Sequence, residues 1–224
     1  GPRPRWLGIR QISFGANFKD YFNLREKASE TTQIQITPFQ VEMNSGDRFG
    51  YTYSPNLERL FEPYEIQDGI NIGVGRYWTG LHRFSLFTSG SRPLAARLEA
   101  ETGTFYSGTR RMAGAELIAK VNRNINASVE MAQNWVRLRE GYFKTRLLAS
   151  RLDYSFTPLC SFTSIIQYDT DSHNIGWQNR VRWIMKPGNE LFFVFNHSWQ
   201  ENSFDRFESY QTKARIKLNY TFRF

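Results

Sequence analysis

The 224-residue chain has 40% hydrophobic residues and a mean hydropathy below zero, yet 16% of it is aromatic. It carries a formal net charge of +8, which suits an anionic partner, and a single cysteine, Cys160. No run of about 18 apolar residues occurs, which excludes a transmembrane helix, and one thiol excludes an internal disulfide.

Two fold classes fit this composition. One is a soluble β-sandwich rich in aromatics. The other is a membrane β-barrel, in which only every second strand residue faces lipid and aromatic girdles mark both interfaces. Along the chain, period-two patterning predicts twelve strands. They lie near residues 8–21, 31–43, 47–55, 76–89, 94–105, 112–122, 125–136, 142–157, 159–169, 175–186, 190–200 and 210–224.

In the first strand, Ile12, Phe14, Ala16 and Phe18 alternate with Ser13, Asn17 and Lys19. Residues 32–43 change phase near Pro38, where the missing N–H predicts a bulge or an edge. Phe49, Tyr51 and Tyr53 then alternate with Arg48, Thr52 and Ser54. Residues 76–88 give only a short clean stretch around Phe84 and Leu86. Ala115, Leu117, Ala119 and Val121 alternate with Glu116, Lys120 and Asn122. Leu148, Leu152, Tyr154 and Phe156 alternate with Arg151, Asp153 and Ser155; Phe162, Ile166 and Tyr168 alternate with Thr163, Gln167 and Asp169.

In residues 175–186, Ile175, Trp177, Val181, Trp183 and Met185 share one face, and Gln178, Arg180, Arg182 and Lys186 the other. Residues 191–199 are apolar on both faces at first, so their register stays open. The last strand has the strictest alternation. Ala214, Ile216, Leu218, Tyr220, Phe222 and Phe224 interleave with Lys213, Arg215, Lys217, Asn219, Thr221 and Arg223. A tilted strand needs about 9–11 residues to cross a bilayer, and this pattern is long enough.

The predicted connections sort by length. Asn44-Ser45-Gly46, Gly90-Ser91-Arg92-Pro93, Arg123-Asn124, Thr157-Pro158 and Lys186-Pro187-Gly188-Asn189 read as tight turns, and the remaining links as mostly longer, the longest from Pro55 to Gly75. Short periplasmic turns and longer outer loops are the habit of outer-membrane barrels. The sorting favours the membrane reading and places both termini in the periplasm. The expected fold is all-β: an antiparallel transmembrane β-barrel of about twelve strands, with residues 1–224 as a single domain. It is either a complete barrel or the C-terminal part of a larger one. No signal peptide opens the chain, where Gly1-Pro2 leads into Arg3-Pro4-Arg5-Trp6. A mature form or a piece of a longer chain is therefore expected.

Three stretches carry a family resemblance. They are Arg3-Pro4-Arg5 through Gly8-Ile9-Arg10, Arg182-Trp183 through Lys186-Pro187-Gly188-Asn189-Glu190-Leu191-Phe192-Phe193-Val194-Phe195-Asn196, and Lys217-Leu218-Asn219-Tyr220-Thr221-Phe222-Arg223-Phe224. Together they resemble the C-terminal barrel region of a bacterial outer-membrane family of unknown function (numbered 5916). Its members carry an N-terminal module similar to family-9 carbohydrate-binding modules. The resemblance implies an outer-membrane barrel with a saccharide-related role. It implies an N-terminal module or further strands as partners beyond this chain, and it supplies no catalytic motif.

The functional candidates are the inward cations. Arg180, Arg182, Lys213, Arg215, Lys217 and Arg223 are expected to line a pore on one wall, where Arg and Lys bias permeation toward anions. The competing expectation is that they pair with carboxylates such as Glu99, Glu101, Glu116, Glu130, Asp153 and Asp169, giving a plugged, structural lumen. The stretch from Glu58 to Asp68 reads as a surface loop in preference to a lumen constriction.

His173, beside Asp169 and Asp171, reads as a solvated loop tip in preference to a metal site. His82 and His197 have no motif around them that fixes a nucleophile. No metal, cofactor or catalytic residue is assigned. Aromatics and cations point to opposite faces, which excludes the interleaved surface that binds single-stranded nucleic acid. The expected partners are outer-membrane lipid, lipopolysaccharide and a small polar solute. The expected function is a channel or uptake protein for saccharide-related or anionic solutes. A structural membrane anchor for a binding module is the alternative, and an outer-membrane hydrolase a third.

Overall fold

A computed structural model describes residues 1–4, 7–202, 204 and 206–221. In chain order the strands are β1 (Ile9–Asn23), β2 (Ala28–Met43), β3 (Arg48–Leu60), β4 (Tyr64–Gln67), β5 (Ile70–Ile72), β6 (Gly75–Phe87) and β7 (Leu94–Phe105). They continue as β8 (Gly108–Lys120), β9 (Ile125–Arg137), β10 (Tyr142–Thr157), β11 (Cys160–Asp169), β12 (Asn174–Lys186), β13 (Asn189–Glu201) and β14 (Phe207–Asn219). Twelve form one sheet in the order β1-β2-β3-β6-β7-β8-β9-β10-β11-β12-β13-β14, and β4 pairs with β5 as a separate hairpin. The described residues contain no helix.

All twelve predicted strands are present, and the sheet strands run from 10 to 16 residues, long enough to cross hydrocarbon. Several reach further than the side-chain pattern indicated: β2 starts at Ala28, β3 continues to Leu60 and β8 starts at Gly108. Their extension shortens the connections. Residues 24–27, 106–107, 138–141 and 170–173 are no longer than the turns 44–47 and 88–93. The expected sorting by length therefore reduces to one long segment, 61–74. β14 ends at Asn219, and Phe222, Arg223 and Phe224, expected to complete it, lie outside the described residues. The phase change near Pro38 is a bulge, a register shift between Ile36 and Phe39 opposite β3.

The chain forms two compact units. One comprises Gly1–Ser91, Ala95–Ala115 and Ala132–Thr145; the other Arg92–Leu94, Glu116–Met131 and Arg146–Phe224. In the first, the register aligns Val41, Phe49, Leu86 and Leu98 across four strands. The adjacent row on the opposite face is Gln40, Gly50, Ser85 and Glu99. Directly opposed residues share a face, so one side of the sheet is apolar and the other polar.

Burial runs opposite to that of a water-soluble sheet. Phe84 on the apolar face is 53% exposed, whereas Glu101 on the polar face is 5% exposed. A soluble sandwich buries its apolar face against a second sheet. A face of Phe, Leu and Ile left open over strands of this length suits hydrocarbon as the solvent. The architecture is that of an antiparallel transmembrane β-barrel wall.

Segment 61–74 is folded back onto this wall. Ile72 of the β4–β5 hairpin is fully buried against Val136 and Leu138, with Leu60, Tyr77 and Phe105 around them. By register, Leu60, Tyr77 and Phe105 belong to the polar face, two-residue steps along from Glu58, Thr79 and Gly103. The segment expected as a surface loop thus packs over the end of the polar face, because its Ile66, Ile70 and Ile72 have an apolar patch there to cover.

Below this patch β6 and β7 approach closely. A methyl group at Gly103 would sit 1.9 Å from the Gly80 carbonyl oxygen, so only glycine fits. Replacing Ile72 with Ala should remove about 2–5 kcal/mol of local packing. Hydrogen exchange across residues 64–72 is expected to accelerate, while the strand amides of β3 and β6 keep their protection.

Candidate permeation wall

In the second unit the sheet register fixes which side chains share the polar face. Thr163, Arg180, Val194 and Arg215 lie in one row across β11 to β14. Ser161, Arg182, Phe192 and Lys217 form the next, toward the 187–188 turn. Ile165, Gln178, Asn196 and Lys213 form the row on the other side. Five of the six predicted pore-lining residues therefore occupy three consecutive rows of one face. Arg223 lies outside the described residues.

Rows on neighbouring strands are about 4.8 Å apart and successive same-face residues about 6.8 Å. Five cations at such spacings repel one another unless counter-charges or water intervene. One is neutralised directly: Arg182 makes an ion pair with Glu190 and lies over the Phe192 ring, 5.9 Å from its centroid. The remaining four, Arg180, Lys213, Arg215 and Lys217, have no ion-pair partner among the described residues.

Beside them Arg151 grips Asp153 through Nε at 2.6 Å and Nη2 at 2.9 Å, and Thr163 donates to the same carboxylate at 2.8 Å. Asp153 and Arg180 flank Thr163 in the register. The face is cationic in excess of its carboxylates.

The first unit treats its charges differently. Arg83 donates from Nε and Nη2 to one oxygen of Glu101, at 3.0 and 2.8 Å, and Arg110 Nη2 lies 3.2 Å from the other. Glu101 is buried between them. Arg48 and Arg97, the register neighbours of Phe87 on β3 and β7, hold their guanidinium groups 5.0 and 5.6 Å from its ring centroid. Glu101, expected as a partner of the six inward cations, pairs instead with Arg83 and Arg110. Of the six, Arg182 is paired, and its partner Glu190 is not among the expected carboxylates.

The histidines take local partners. His82 lies on the apolar face, its Nδ1 2.7 Å from the Tyr51 hydroxyl and its ring stacked on Tyr53. His197 Nδ1 meets Thr212 Oγ1 at 2.7 Å, with Ser209 Oγ 3.4 Å from Nε2. His173 Nδ1 meets Glu201 at 2.8 Å, away from the Asp169 and Asp171 pairing considered from sequence.

Outside the strands two groups in the first unit have shifted protonation. Burial, and then the hydrogen bond that Tyr106 donates to Glu58 at 2.7 Å, push the Tyr106 hydroxyl well above its ordinary range. The Ser107 hydroxyl, donating to Glu140, holds that carboxyl below its ordinary range. Ser107 Oγ also accepts from the Arg139 N–H, so it ties turn 106–107 to connection 138–141.

Among known proteins, the chain matches no family model and no curated protein. Two solved porin structures are similar at low identity. A KdgM porin in complex with disordered oligogalacturonate is 12% identical, with a TM-score of 0.37 over 86% of this chain and 92% of that one. A NanC porin is 9% identical, with a TM-score of 0.38 over 94% of this chain and 99% of that one.

Two outcomes test this wall. Arg83→Met leaves the buried Glu101 with only the less well aligned Arg110. It should lower the unfolding free energy in detergent by about 3 kcal/mol, and Arg83→Met with Glu101→Gln should recover part of the loss. Tyr106 has its folded value raised above about 10, so its stabilising contribution is complete below that pH and is lost as pH rises through the folded value. The unfolding free energy should be insensitive to this group at pH 7–9 and fall above about pH 10, with a shallower decline in Tyr106→Phe.

Proposed function

We propose that the chain forms the wall of a bacterial outer-membrane channel that takes up small polar solutes, of anionic and saccharide-related kind. The carrying observation is the alignment of Lys213, Arg215 and Lys217 with Arg180 and Arg182 on the polar face of one unit, mostly without counter-charges. Cations held on a low-dielectric wall raise the local concentration of anions and lower their barrier to entry. In this reading the apolar face contacts outer-membrane lipid and lipopolysaccharide, and both termini lie in the periplasm. An N-terminal carbohydrate-binding module, as in family 5916, belongs to the same proposal as a partner that would concentrate saccharides near the channel.

β1 and β14 are the ends of the strand order. In hydrocarbon a strand edge must find hydrogen-bond partners within protein. Either these two edges serve each other or further strands complete the barrel.

A second reading has its own support. The β4–β5 hairpin over the polar face of the first unit, and the closed Arg83–Glu101–Arg110 cluster, favour a plugged anchor that holds a binding module in the membrane.

Planar-bilayer recording separates the two. The channel reading predicts steady openings with preference for chloride over potassium. Replacing Arg180, Arg182 and Arg215 together with Gln should reduce that preference severalfold, since Glu190 is then left uncompensated. Unchanged selectivity would contradict the cationic wall, and a folded, inserted but silent chain would favour the anchor.

A further inference from the structure

The polar face of the second unit has another feature besides its cations. Toward connection 170–173, a cavity of about 420 Å³ is lined by Gln167, Gln178, Asn196, Ser198, Gln211 and Lys213, with Asp169 in the row nearest that connection. Its volume falls within the roughly 300–1,000 Å³ typical of small-ligand sites. The register explains its shape. Gln167, Gly176, Ser198 and Gln211 form one row, and Gln178, Asn196 and Lys213 belong to the next. Gly176 and Ser198, the smallest members, make the floor between flanking amides.

The hollow at Gly176 is open: a Cβ built there would meet only Asn174 Oδ1, at 4.0 Å. The amides around it are also unoccupied. Among the described residues, the side chains of Gln167, Gln178, Asn196 and Gln211 make no hydrogen bond to the protein. Asn174 and Gln200, at the margin, do bond each other, at 3.3 Å. Four exposed amides line one hollow, and none is committed to a partner among the described residues, so all four are free to bond a ligand.

A carboxamide presents two donors and one acceptor side by side. Adjacent ring hydroxyls of a sugar, each able to donate and accept, present the matching set. The strand spacing of about 4.8 Å repeats these groups at intervals near the width of one sugar ring. Lys213 lines the side of the hollow nearest the cationic rows and Asp169 the side nearest connection 170–173, so its positive and negative charges stand at opposite ends.

We infer that this hollow is a saccharide subsite, with ring hydroxyls held by Gln167, Gln178, Asn196 and Gln211 and the carboxylate of an acidic sugar held by Lys213. The inference rests on the channel reading for the route of access only. The rows of Arg180, Arg215 and Lys217 then act as an unspecific anionic attraction, while the amide hollow reads the hydroxyls.

Titration calorimetry on the full chain refolded in detergent tests this without requiring conductance. The probes are trigalacturonate and, as a neutral control, maltotriose. The unmodified chain should bind both, trigalacturonate more tightly. Gly176→Val fills the floor without removing a charge or a hydrogen bond and should weaken both at least tenfold. Gln178→Ala with Asn196→Ala should do the same by a different route, which guards against misfolding of the valine variant. Lys213→Gln should weaken trigalacturonate severalfold and leave maltotriose unchanged.

Undiminished binding by Gly176→Val and by the double variant would overturn the subsite, as would no saccharide binding by the unmodified chain. Binding abolished by Arg180→Gln with Arg215→Gln but kept in Gly176→Val would show attraction by the cationic rows alone, and would also overturn it. Failure of the channel reading is separately visible, as saccharide binding by a chain with no anion-selective current.

Discussion

In hydrocarbon no backbone N–H or C=O finds a partner outside the protein, so every strand must be paired along its length. That requirement governs the rest of this structure. Once a strand is paired on both sides, its side chains have only two directions, and a shift of one residue would move every side chain to the wrong solvent. The ten inner strands, β2, β3 and β6 to β13, are paired on both sides and are 10 to 16 residues long, with register shifts confined to a few places such as the bulge beside Pro38. The polar wall and the lipid wall are consequences of one register and are not independently variable.

Much of this was legible in the sequence, because the two faces meet different solvents and the residues record it at period two. Where the reading was open, the structure gives a physical reason. Residues 191–199 looked apolar on both faces because Phe192 and Val194 lie on the polar side, between Arg182 and Lys217 and between Arg180 and Arg215. Phe192 is tolerated there beneath the Arg182 guanidinium. Residues 76–88 were unclear for a similar cause, since Phe87 faces the polar side between Arg48 and Arg97. An aromatic ring in contact with guanidinium groups counts as polar-face material, which an alternation of residue types cannot express.

The connections were the less legible part. Strands extend beyond the end of clear alternation, since backbone pairing continues after the side chains stop distinguishing their solvents; β2 and β8 both begin earlier than the pattern indicated. The long segment 61–74 read as a solvated loop from its carboxylates. Its placement is decided by Ile66, Ile70 and Ile72, spaced through a short hairpin whose partners come from distant strands. The six inward cations were chosen from alternation alone, and five of them share one face. Their counter-charges were harder to name: Arg182 pairs with Glu190 across a turn, and the amides over Gly176 carry no charge to attract notice.

The central claim is that the face bearing Gln178, Arg180 and Arg182 meets water while the face bearing Trp177, Val181 and Trp183 meets lipid. Cys160 is the only native cysteine and pairs in register with Trp183, so a Cys160→Ser background removes the one competing thiol. Single cysteines placed in turn at positions 177, 178, 180, 181, 182 and 183 can then be exposed to a charged, membrane-impermeant thiol reagent in lipid vesicles. The account predicts rapid modification at 178, 180 and 182 and protection at 177, 181 and 183. Equal reactivity on the two faces, or the reverse alternation, would contradict it.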